Sequence, residues 1–344
     1  MSEELLSVED LRVEFRRRGT EPFAAVDGVS FRLTPGHTLG IVGESGSGKS
    51  VTSLAIMRLL SGRNTRVQGK VLFEGSDLLT LSRPAMRDKR GRDLAMIFQD
   101  PLSSLNPVVS IGIQVAEVLI RHRGMKRSAA LRESADLLDQ VGIPDPNRRL
   151  KEYPHQLSGG LRQRALITMA LACRPRLLIA DEPTTALDVT IQAQILSLLR
   201  SLVQDHGTAL IMITHDLGVV AGLCDEVNVM YGGRIVERAG RHDLFSSPGH
   251  PYTHGLLRSI PRLDALEQRL TPIRGSVSDN IPWTSGCAFA PRCDREVAAC
   301  RETTPQLEIA MERPAGHWLR CHHPVSADAP EVYADVAVLE QEIS

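Results

Sequence analysis

The chain has 344 residues, of which 42% are hydrophobic, so it is long for a typical single domain and apolar enough to bury a large core. Its formal net charge of -1 gives no general basic footprint for nucleic acid. No stretch approaches the ~18 uninterrupted apolar residues of a membrane-spanning helix, and the acidic start is unlike a secretion signal. We therefore expect any membrane role to act through a partner.

The predicted elements alternate between strands and helices. Strands are predicted at Val8–Phe15, Val29–Leu33, Thr38–Val42, Lys70–Phe73, Ala95–Phe98, Leu177–Ala180, Ala209–Thr214 and Val227–Met230. Helical segments are predicted at Val51–Leu60, Ile111–Arg121, Ala129–Val141 and Leu161–Ala172. This alternation predicts an α/β layered core, and the absence of an internal repeat predicts one nucleotide-binding unit.

A glycine-rich segment at residues 43–50 follows the third predicted strand and precedes a predicted helix. It reads Gly-Glu-Ser-Gly-Ser-Gly-Lys-Ser and fits the phosphate-binding loop of nucleoside triphosphatases. In that pattern backbone N–H groups surround the phosphates, Lys49 reaches the β- and γ-phosphates and Ser50 binds Mg²⁺. The expected nucleotide-binding residues are Gly43, Glu44, Ser45, Gly46, Ser47, Gly48, Lys49, Ser50 and Val51.

Two polar groups follow apolar strands in the second half of the chain. Leu177–Ala180 is followed by Asp181 and Glu182, an arrangement expected where Mg²⁺ and an attacking water are held. Asp181 would hold Mg²⁺, and Glu182 would polarise the water. His215 follows the strand Ala209–Thr214, whose end would lie beside Glu182 in a parallel sheet, so its imidazole could reach the γ-phosphate or orient the water.

With these motifs in this order, the chain resembles the nucleotide-binding subunit of an ATP-binding cassette (ABC) transporter over roughly residues 5–261. The segment Leu157–Gln163, Leu-Ser-Gly-Gly-Leu-Arg-Gln, is similar to the signature of that family. The resemblance implies a P-loop ABC ATPase core in residues 1–261. It also implies a helical subdomain at about residues 100–173 that carries the signature.

The resemblance also implies roles for further residues. Gln99 matches the glutamine loop that senses Mg²⁺, and Asp188 belongs to the Ala-Leu-Asp loop at the dimer seam. Phe15 stands where the family places an aromatic residue that stacks on adenine, with an ordinary core phenylalanine as the alternative. Two subunits are expected to pack head to tail, so that Ser158, Gly159 and Gly160 of one chain cover the ATP held by Lys49 of the other.

After residue 261 the sequence becomes rich in proline and cysteine. Residues 262–344 are expected to form a small extension, with a four-cysteine segment at 287–321 in the order Cys287-x5-Cys293-x6-Cys300-x20-Cys321. Reduced thiols without a secretion signal favour metal binding over disulfides. A [4Fe–4S] cluster is the preferred hypothesis. The alternatives are Zn²⁺, with His317, His322 or His323 as substitute ligands, and unmetallated thiols.

This extension narrows the resemblance to a subfamily. Gly249–Thr253, reading Gly-His-Pro-Tyr-Thr, and Cys287-x-Phe-x-x-Arg-Cys293 look like the C-terminal extension of dipeptide and oligopeptide importer ATPases. The resemblance implies an ATPase at the cytoplasmic face of the cell membrane, with no nucleic-acid partner. Its expected partners are a second, homologous ABC ATPase, two permease subunits and an extracytoplasmic peptide-binding protein.

Two other functions stay open at this point. An importer ATPase for nickel or another small solute fits the same motifs, because specificity resides in other subunits. A soluble ABC protein of DNA repair or translation is the second alternative. Repair relatives interrupt the cassette with long coiled coils and translation relatives carry two cassettes, and the sequence shows neither feature.

Overall fold

The computed structural model describes residues 4–16, 21–60, 62, 64–185, 187–259, 273–277 and 285–327. The chain divides into two compact units. We call the unit built mainly from Thr80–Met212, together with Thr34–His37, the helical unit. We call the unit built from Glu4–Leu33, Thr38–Leu79 and the residues after Met212 the sheet unit. The boundary predicted at residue 261 falls outside the described ranges and stays a prediction.

An antiparallel sheet forms the N-terminal part of the sheet unit. Its strands, in spatial order, are β2 (Phe23–Leu33), β1 (Leu6–Phe15), β4 (Thr65–Phe73) and β5 (Ser76–Asp77). The side chains of Val8 and Val13 are buried, which supplies the apolar face of β1. Gly69 in β4 has a φ of 97°, and a Cβ there would lie 2.5 Å from the carbonyl oxygen of Asp10. Glycine therefore permits the close approach of β4 to β1.

The second group of strands in the sheet unit includes two from the C-terminal extension. In spatial order it comprises β11 (Glu308–Ile309), β12 (Trp318–Leu319), β10 (Arg234–Gly240), β9 (Glu226–Tyr231) and β3 (Thr38–Val42). The pair β3 and β9 is parallel, whereas β10 pairs antiparallel with β9 and β12. Backbone hydrogen bonding thus joins the extension to the strands that lead toward the glycine-rich loop.

Helices and a buried, hydrogen-bonded glutamate complete the sheet unit. The helices are α1 (Lys49–Ile56), α9 (Leu217–Leu223), α10 (Arg241–Ser246), α11 (Pro251–Arg258) and α12 (Ala298–Glu302), with a 3₁₀ turn at Ala290–Arg292. Glu237 of β10 is fully buried and its Oε1 lies 2.7 Å from His317 Nε2. Glu237 also accepts the N–H groups of Gly249 and His250, at 2.6 and 3.0 Å. Because a buried carboxylate needs such partners, this cluster fixes the extension and the start of α11 to β10.

The helical unit contains buried strands surrounded by helices. The strands, in spatial order, are β8 (Ala209–Thr214, up to Met212 in this unit), β7 (Leu177–Asp181) and β6 (Leu94–Ile97). β6 and β7 run parallel, with Ile97 opposite Ala180. Parallel strands buried on both faces read as continuous apolar runs, which explains the sequence of β7.

The helices of this unit lie largely between β6 and β7 in the chain. They are α2 (Arg83–Lys89), α3 (Pro101–Ser104), α4 (Ile111–Arg123), α5 (Arg127–Gln140), α6 (Pro146–Arg149), α7 (Gly159–Leu171) and α8 (Val189–His206), with a 3₁₀ turn at Pro154–Gln156. A small buried cluster joins several of them through Ala116, Leu119, Ala130 and Ala172. Among the helices that the structure describes, none is long and apolar enough to cross a membrane.

Candidate functional site

The glycine-rich loop connects the buried strand β3 to the first turn of α1. Gly43, Gly46 and Gly48 have φ values of 151°, 82° and 102°, a region that L-amino acids with a side chain rarely adopt. A Cβ on Gly48 would lie 2.4 Å from the carbonyl oxygen of Ala25. The loop therefore keeps this backbone path, and brings its N–H groups to the start of α1, because these positions are glycine.

The lysine of the loop is held by loop carbonyls. Lys49 is 5% exposed, and its Nζ donates to the carbonyl oxygens of Gly43 at 2.6 Å and Glu44 at 3.0 Å. Among the described atoms, Ser47 Oγ is buried and has no hydrogen-bond partner. The ammonium group of Lys49, the buried hydroxyl of Ser47 and the backbone N–H groups of the loop together suit an anionic ligand such as phosphate. Ser50 and Val51 follow in the first turn of α1 and are partly exposed.

The predicted carboxylates lie at the end of β7 in the helical unit. Asp181 is the last residue of the strand and is 5% exposed. Glu182 follows with a φ of 47°, which is uncommon for a non-glycine residue and is typical of strained functional positions. The pairing of Ile97 with Ala180 places Gln99, two residues after β6, at the same edge of the sheet.

Two side chains donate to one oxygen of Glu182. Gln99 Nε2 lies 2.8 Å from Glu182 Oε2, and Thr185 Oγ1 lies 2.9 Å from the same oxygen. Hydrogen bonds to an ionised acceptor are stronger than neutral ones, so these donors orient the carboxylate. The structure thus brings Gln99 and Glu182 together, and it adds Thr185, whose contact with the carboxylate the sequence had not indicated.

The signature residues cap a helix. Ser158 is the N-cap of α7 and its Oγ accepts from the N–H of Leu161 at 3.4 Å, while Ser158 and Gly159 are exposed. A Cβ on Gly160 would lie 2.9 Å from Cγ2 of Ile191 in the first turn of α8. The N-terminal ends of α7 and α8 are therefore packed together.

Asp188 caps the neighbouring helix. It is exposed and is the N-cap of α8, and its Oδ1 accepts from the N–H of Ile191 at 3.0 Å. The signature and the seam loop therefore share one surface of the helical unit. Ala186 of the seam loop lies outside the described residues.

His215 and Phe15 both lie just where a strand ends, in the sheet unit. His215 directly follows β8 and is exposed, and Asp216 next to it caps α9 by accepting from the N–H of Gly218 at 2.9 Å. Phe15 is the last residue of β1, is paired with Phe23 and is partly exposed. An exposed aromatic face at a strand end suits either stacking or local packing, so the adenine contact of Phe15 stays a prediction.

Comparison with known proteins assigns the family. Residues 26–185 match the model described as ABC transporter, and residues 236–300 match the one described as oligopeptide/dipeptide transporter, C-terminal region. The chain is 50% identical over 320 residues to the dipeptide transport ATP-binding protein DppD of Bacillus subtilis, covering 93% of this chain and 94% of the relative. This chain belongs to the ATP-binding proteins of ABC transporters.

Further relatives agree with this ABC ATPase assignment. The oligopeptide transport ATP-binding protein OppD of Salmonella typhimurium is 50% identical over 301 residues, covering 88% of this chain and 89% of that protein. The ATP-binding cassette MJ0796, solved as a dimer bound to ADP and Pi, superposes with a TM-score of 0.62 at 26% identity, over 69% of this chain and 98% of that one. The α/β ABC cassette fold is thus confirmed, and ATP and Mg²⁺ are the expected ligands of an ABC ATPase.

Helix α11 and the C-terminal extension of the ABC ATPase both contact the phosphate loop, which the sequence did not reveal. Glu44 donates its backbone N–H to Tyr252 Oη at 2.8 Å, and its carboxylate accepts from Arg292 Nη1 and Nη2 at 2.8 and 3.1 Å. Burial lowers the pKa of Arg292, but hydrogen bonds to Glu44 and Tyr231 outweigh it, so the pKa is raised overall. Tyr252 and Arg292 stand in the two sequence segments that resemble peptide importers, but nothing in local spacing links them to Glu44.

The four cysteines of the extension are free thiols. Cys300 is buried, and the other three are partly exposed. Burial is the main cause that raises the pKa of Cys293 to about 11 and that of Cys321 to about 12, with a smaller contribution from the neighbouring thiols. A metal ion would have to displace these protons, because the thiolate is the ligand.

The described residues give no support to the predicted metal. Within the ranges that the structure covers, no group of three or more His, Cys, Asp or Glu side chains is arranged to hold a metal ion. Each substitute ligand has one ring nitrogen on a protein oxygen: His317 on Glu237, His322 on the carbonyl of Thr303 and His323 on that of Arg295. The described arrangement therefore does not support either the [4Fe–4S] cluster or Zn²⁺, and the metal stays a hypothesis.

Proposed function

We propose that this ABC ATPase powers the import of di- and oligopeptides through a membrane transporter. The observation that carries the proposal is the match of residues 236–300 to the oligopeptide/dipeptide transporter C-terminal region, because an ABC core alone is common to many transport systems. The extension is also joined to β10 by backbone pairing and to the phosphate loop by side chains, so it is an integral part of this ATPase. Its relatives DppD and OppD are named for peptide transport.

The phosphate loop is the proposed binding site for the ATP phosphates. The loop amides from Gly43 to Gly48, including those of Ser45 and Gly46, would surround the phosphates, and Lys49 would exchange its carbonyl partners for phosphate oxygens. Ser50, Asp181 and Gln99 are the proposed oxygen ligands of Mg²⁺, which prefers such donors. When bound, Mg²⁺ neutralises charge on the phosphate oxygens.

Glu182 is the proposed general base for hydrolysis. As the oxygen of water bonds to the γ-phosphorus, the bond from that phosphorus to the bridging oxygen of ADP breaks, and the proton of the water passes to the Glu182 carboxylate. Gln99 and Thr185 both donate to Glu182 Oε2, which supports this role because a base must be held in a fixed orientation. His215 is proposed to orient the water or the γ-phosphate, and Phe15 to stack on adenine.

The complete site is proposed to form between two ATPase subunits. Ser158 and Gly159 are exposed at the N-terminus of α7, and Asp188 is exposed at the N-cap of α8. A helix N-terminus attracts anions, so the signature with Gly160 can cover an ATP phosphate held on Lys49 of the partner. ATP would then favour the closed dimer and its hydrolysis would release it.

The proposed assembly places the ATPase at the cytoplasmic face of the membrane. Its partners would be a homologous second ABC ATPase, two permeases and an extracytoplasmic peptide-binding protein. Such an ATPase does not touch the transported solute. Partner subunits would therefore set the peptide length and sequence preference.

Peptide import is tested by substrate-stimulated ATP turnover in the co-purified assembly. The reconstituted transporter should increase its ATPase rate when loaded with binding protein and a di- or tripeptide, and should not respond to nickel salts. Stimulation by nickel alone would instead support the small-solute importer. Co-purification with DNA-repair or ribosomal factors and no permease would support the soluble ABC alternative.

That the four cysteines bind a metal stays a hypothesis, which rests on their spacing in the sequence. It is tested on full-length protein purified without air, by elemental analysis and visible absorption. About four irons per chain, with broad absorption that bleaches on reduction, would support the [4Fe–4S] cluster. One tightly held zinc in a colourless sample would support the alternative, and protein with neither would agree with the arrangement of the thiols.

A further inference from the structure

Glu44, the second residue of the phosphate loop, is held at two points by residues more than 200 positions away in the chain. Its backbone N–H donates to Tyr252 Oη, and its carboxylate takes both terminal nitrogens of Arg292. Tyr252 lies on α11 and Arg292 ends the 3₁₀ turn Ala290–Arg292 in the extension. Both contacts lie within the sheet unit.

The side chain of Arg292 is fixed in this position by further hydrogen bonds. Its Nε donates to the carbonyl of Arg274 at 2.6 Å, and its terminal nitrogens also donate to Tyr231 Oη at 3.3 Å and the carbonyl of Gly275 at 3.0 Å. Together with the two bonds to Glu44, these contacts account for all five donors of the guanidinium. The Arg292 side chain is 5% exposed and that of Glu44 is 27% exposed, so the arginine of the pair is shielded from the solvent that weakens surface ion pairs.

Tyr252 is equally fixed. Its ring is fully buried and contacts Tyr231 edge to face at a centroid distance of 4.7 Å, and Phe289 of the extension lies 5.3 Å from it. The ring position is therefore set by aromatic packing, and the hydroxyl accepts the N–H of Glu44 from that rigid support.

Glu44 also contacts Lys49, so the bonds that fix Glu44 affect the lysine as well. The carbonyl of Glu44 accepts from Lys49 Nζ at 3.0 Å and from the N–H of Ser47 at 3.2 Å. Glu44 thus bonds to Tyr252 through its N–H and to Arg292 through its carboxylate. Its carbonyl accepts from Lys49 and from the loop N–H of Ser47. A shift of Glu44 would move the ammonium group and the loop amides together.

We propose that Arg292 of the C-terminal extension and Tyr252 of α11 are positioning residues for nucleotide binding, which hold Glu44 and thereby set the ATP affinity of Lys49 and its loop. This inference rests on the proposed function, in which Lys49 binds the ATP phosphates. Neither Arg292 nor Tyr252 contacts the nucleotide in this account.

The test compares full-length variants by titration with Mg²⁺ and a non-hydrolysable ATP analogue. Arg292→Met should weaken binding by about fivefold to tenfold, the lower end of the range of an ordinary coupling between sites. Arg292→Lys keeps the positive charge but lacks the forked donors of the guanidinium. Its affinity for the analogue should therefore lie between those of the wild type and Arg292→Met. The matched control is Arg301→Met, because Arg301 also forms a two-bond ion pair in the extension, with Glu296, but does not touch the loop.

Two further measurements separate positioning from stability. Tyr252→Phe keeps the ring and removes only the hydroxyl, so it should fold with a melting temperature lowered by only about 2–4 °C and still weaken binding. Tyr153→Phe, on the exposed surface, should not weaken binding. In steady-state ATPase assays, the KM for ATP should rise with little change in kcat. In the Glu44→Gln background, Arg292→Met should add little, because both act through one contact.

The outcomes distinguish the two proposals. Folded Arg292→Met and Tyr252→Phe proteins that bind the analogue within twofold of wild type, while Lys49→Ala does not bind it, would overturn the positioning role alone. Wild-type protein that binds no nucleotide would overturn the proposed function, and this inference with it. If Arg292→Met does not fold, Tyr252→Phe decides the question.

Discussion

Gln99 and Glu182, just beyond the ends of the neighbouring parallel strands β6 and β7, are joined by a hydrogen bond of 2.8 Å between Nε2 and Oε2. Their contact follows from the β6 and β7 register, which places the residues after both strands at one sheet edge. A glutamine that moves with its loop would therefore change the orientation of the carboxylate.

Replacing Glu182 by Gln should stop turnover while nucleotide still binds. The amide cannot accept the proton of the attacking water, and loss of a general base reduces rates by on the order of 10² to 10⁴. The measurement is phosphate release by the assembled transporter, with nucleotide binding measured in parallel. Glu117→Gln, an exposed residue of α4, is the matched control. Undiminished hydrolysis by Glu182→Gln would show that another group is the base.

Thr185→Val should slow hydrolysis without changing the KM for ATP. The substitution keeps the shape of the side chain but removes the hydroxyl that donates to Glu182 Oε2. A net loss of about 1 kcal/mol for one hydrogen bond corresponds to roughly a fivefold lower kcat. Thr185→Ser retains the hydroxyl and should keep nearly the wild-type rate. Equal kcat values for the Val and Ser variants would contradict this role.

Gly48→Ala should reduce stability more than Gly28→Ala. Both glycines have a left-handed φ, which costs about 1–2 kcal/mol for alanine. Only at Gly48 would the new Cβ also collide with a backbone oxygen, whereas nothing lies within 4 Å of a Cβ on Gly28. The free energies of unfolding in urea measure the difference. Equal losses for the two variants would mean that the loop adapts without strain.

His250 should make the fold less stable as the pH falls below neutral. Burial lowers the pKa of His250 to about 4, from the ordinary value of 6.5. Between these two values the unfolded chain binds a proton that the folded chain does not. The contribution of His250 to the free energy of unfolding should therefore be fully present above pH 6.5. As the pH falls from 6.5 to 4, the free energy of unfolding should decrease by up to about 1.4 kcal/mol per pH unit.

The control for this pH dependence is His250→Asn. Asparagine can still accept the N–H of Tyr252, as His250 Nδ1 does at 3.1 Å, and it is a good N-cap for α11. Urea unfolding at pH 5, 6 and 7 should give a smaller loss of stability on acidification for the variant. Parallel curves for the two proteins would assign the pH dependence to other groups, such as Glu237.

Buried apolar strands were predictable from the sequence. The predicted bounds Thr38–Val42 and Ala209–Thr214 are those of β3 and β8, because every residue of both strands is buried and the apolar run marks them. β2 begins at Phe23 rather than at the predicted Val29, since Gly28 and its neighbours interrupt the pattern. β10 was missed because it contains a buried glutamate, Glu237, and polar residues that read as loop.

Motifs that act through a contiguous segment were also predictable, and those that act at a distance were not. The strand, loop and helix around residues 43–50 are all local, so their pattern identified the loop. Arg292 and Tyr252 reach Glu44 through the fold, and no spacing within the sequence encodes that contact. The cysteine spacing suggested a metal, but spacing alone does not give the mutual orientation that ligands require, and the described residues lack it.

Peptide uptake into proteoliposomes tests the central claim most directly. Vesicles that contain the complete transporter, with ATP on the side of the ATPase, should accumulate a radiolabelled tripeptide in the presence of binding protein. The same vesicles assembled with Lys49→Ala should not accumulate it, because the phosphate loop then lacks its lysine. Uptake at equal rates with wild-type and Lys49→Ala subunits, or without ATP, would contradict the account.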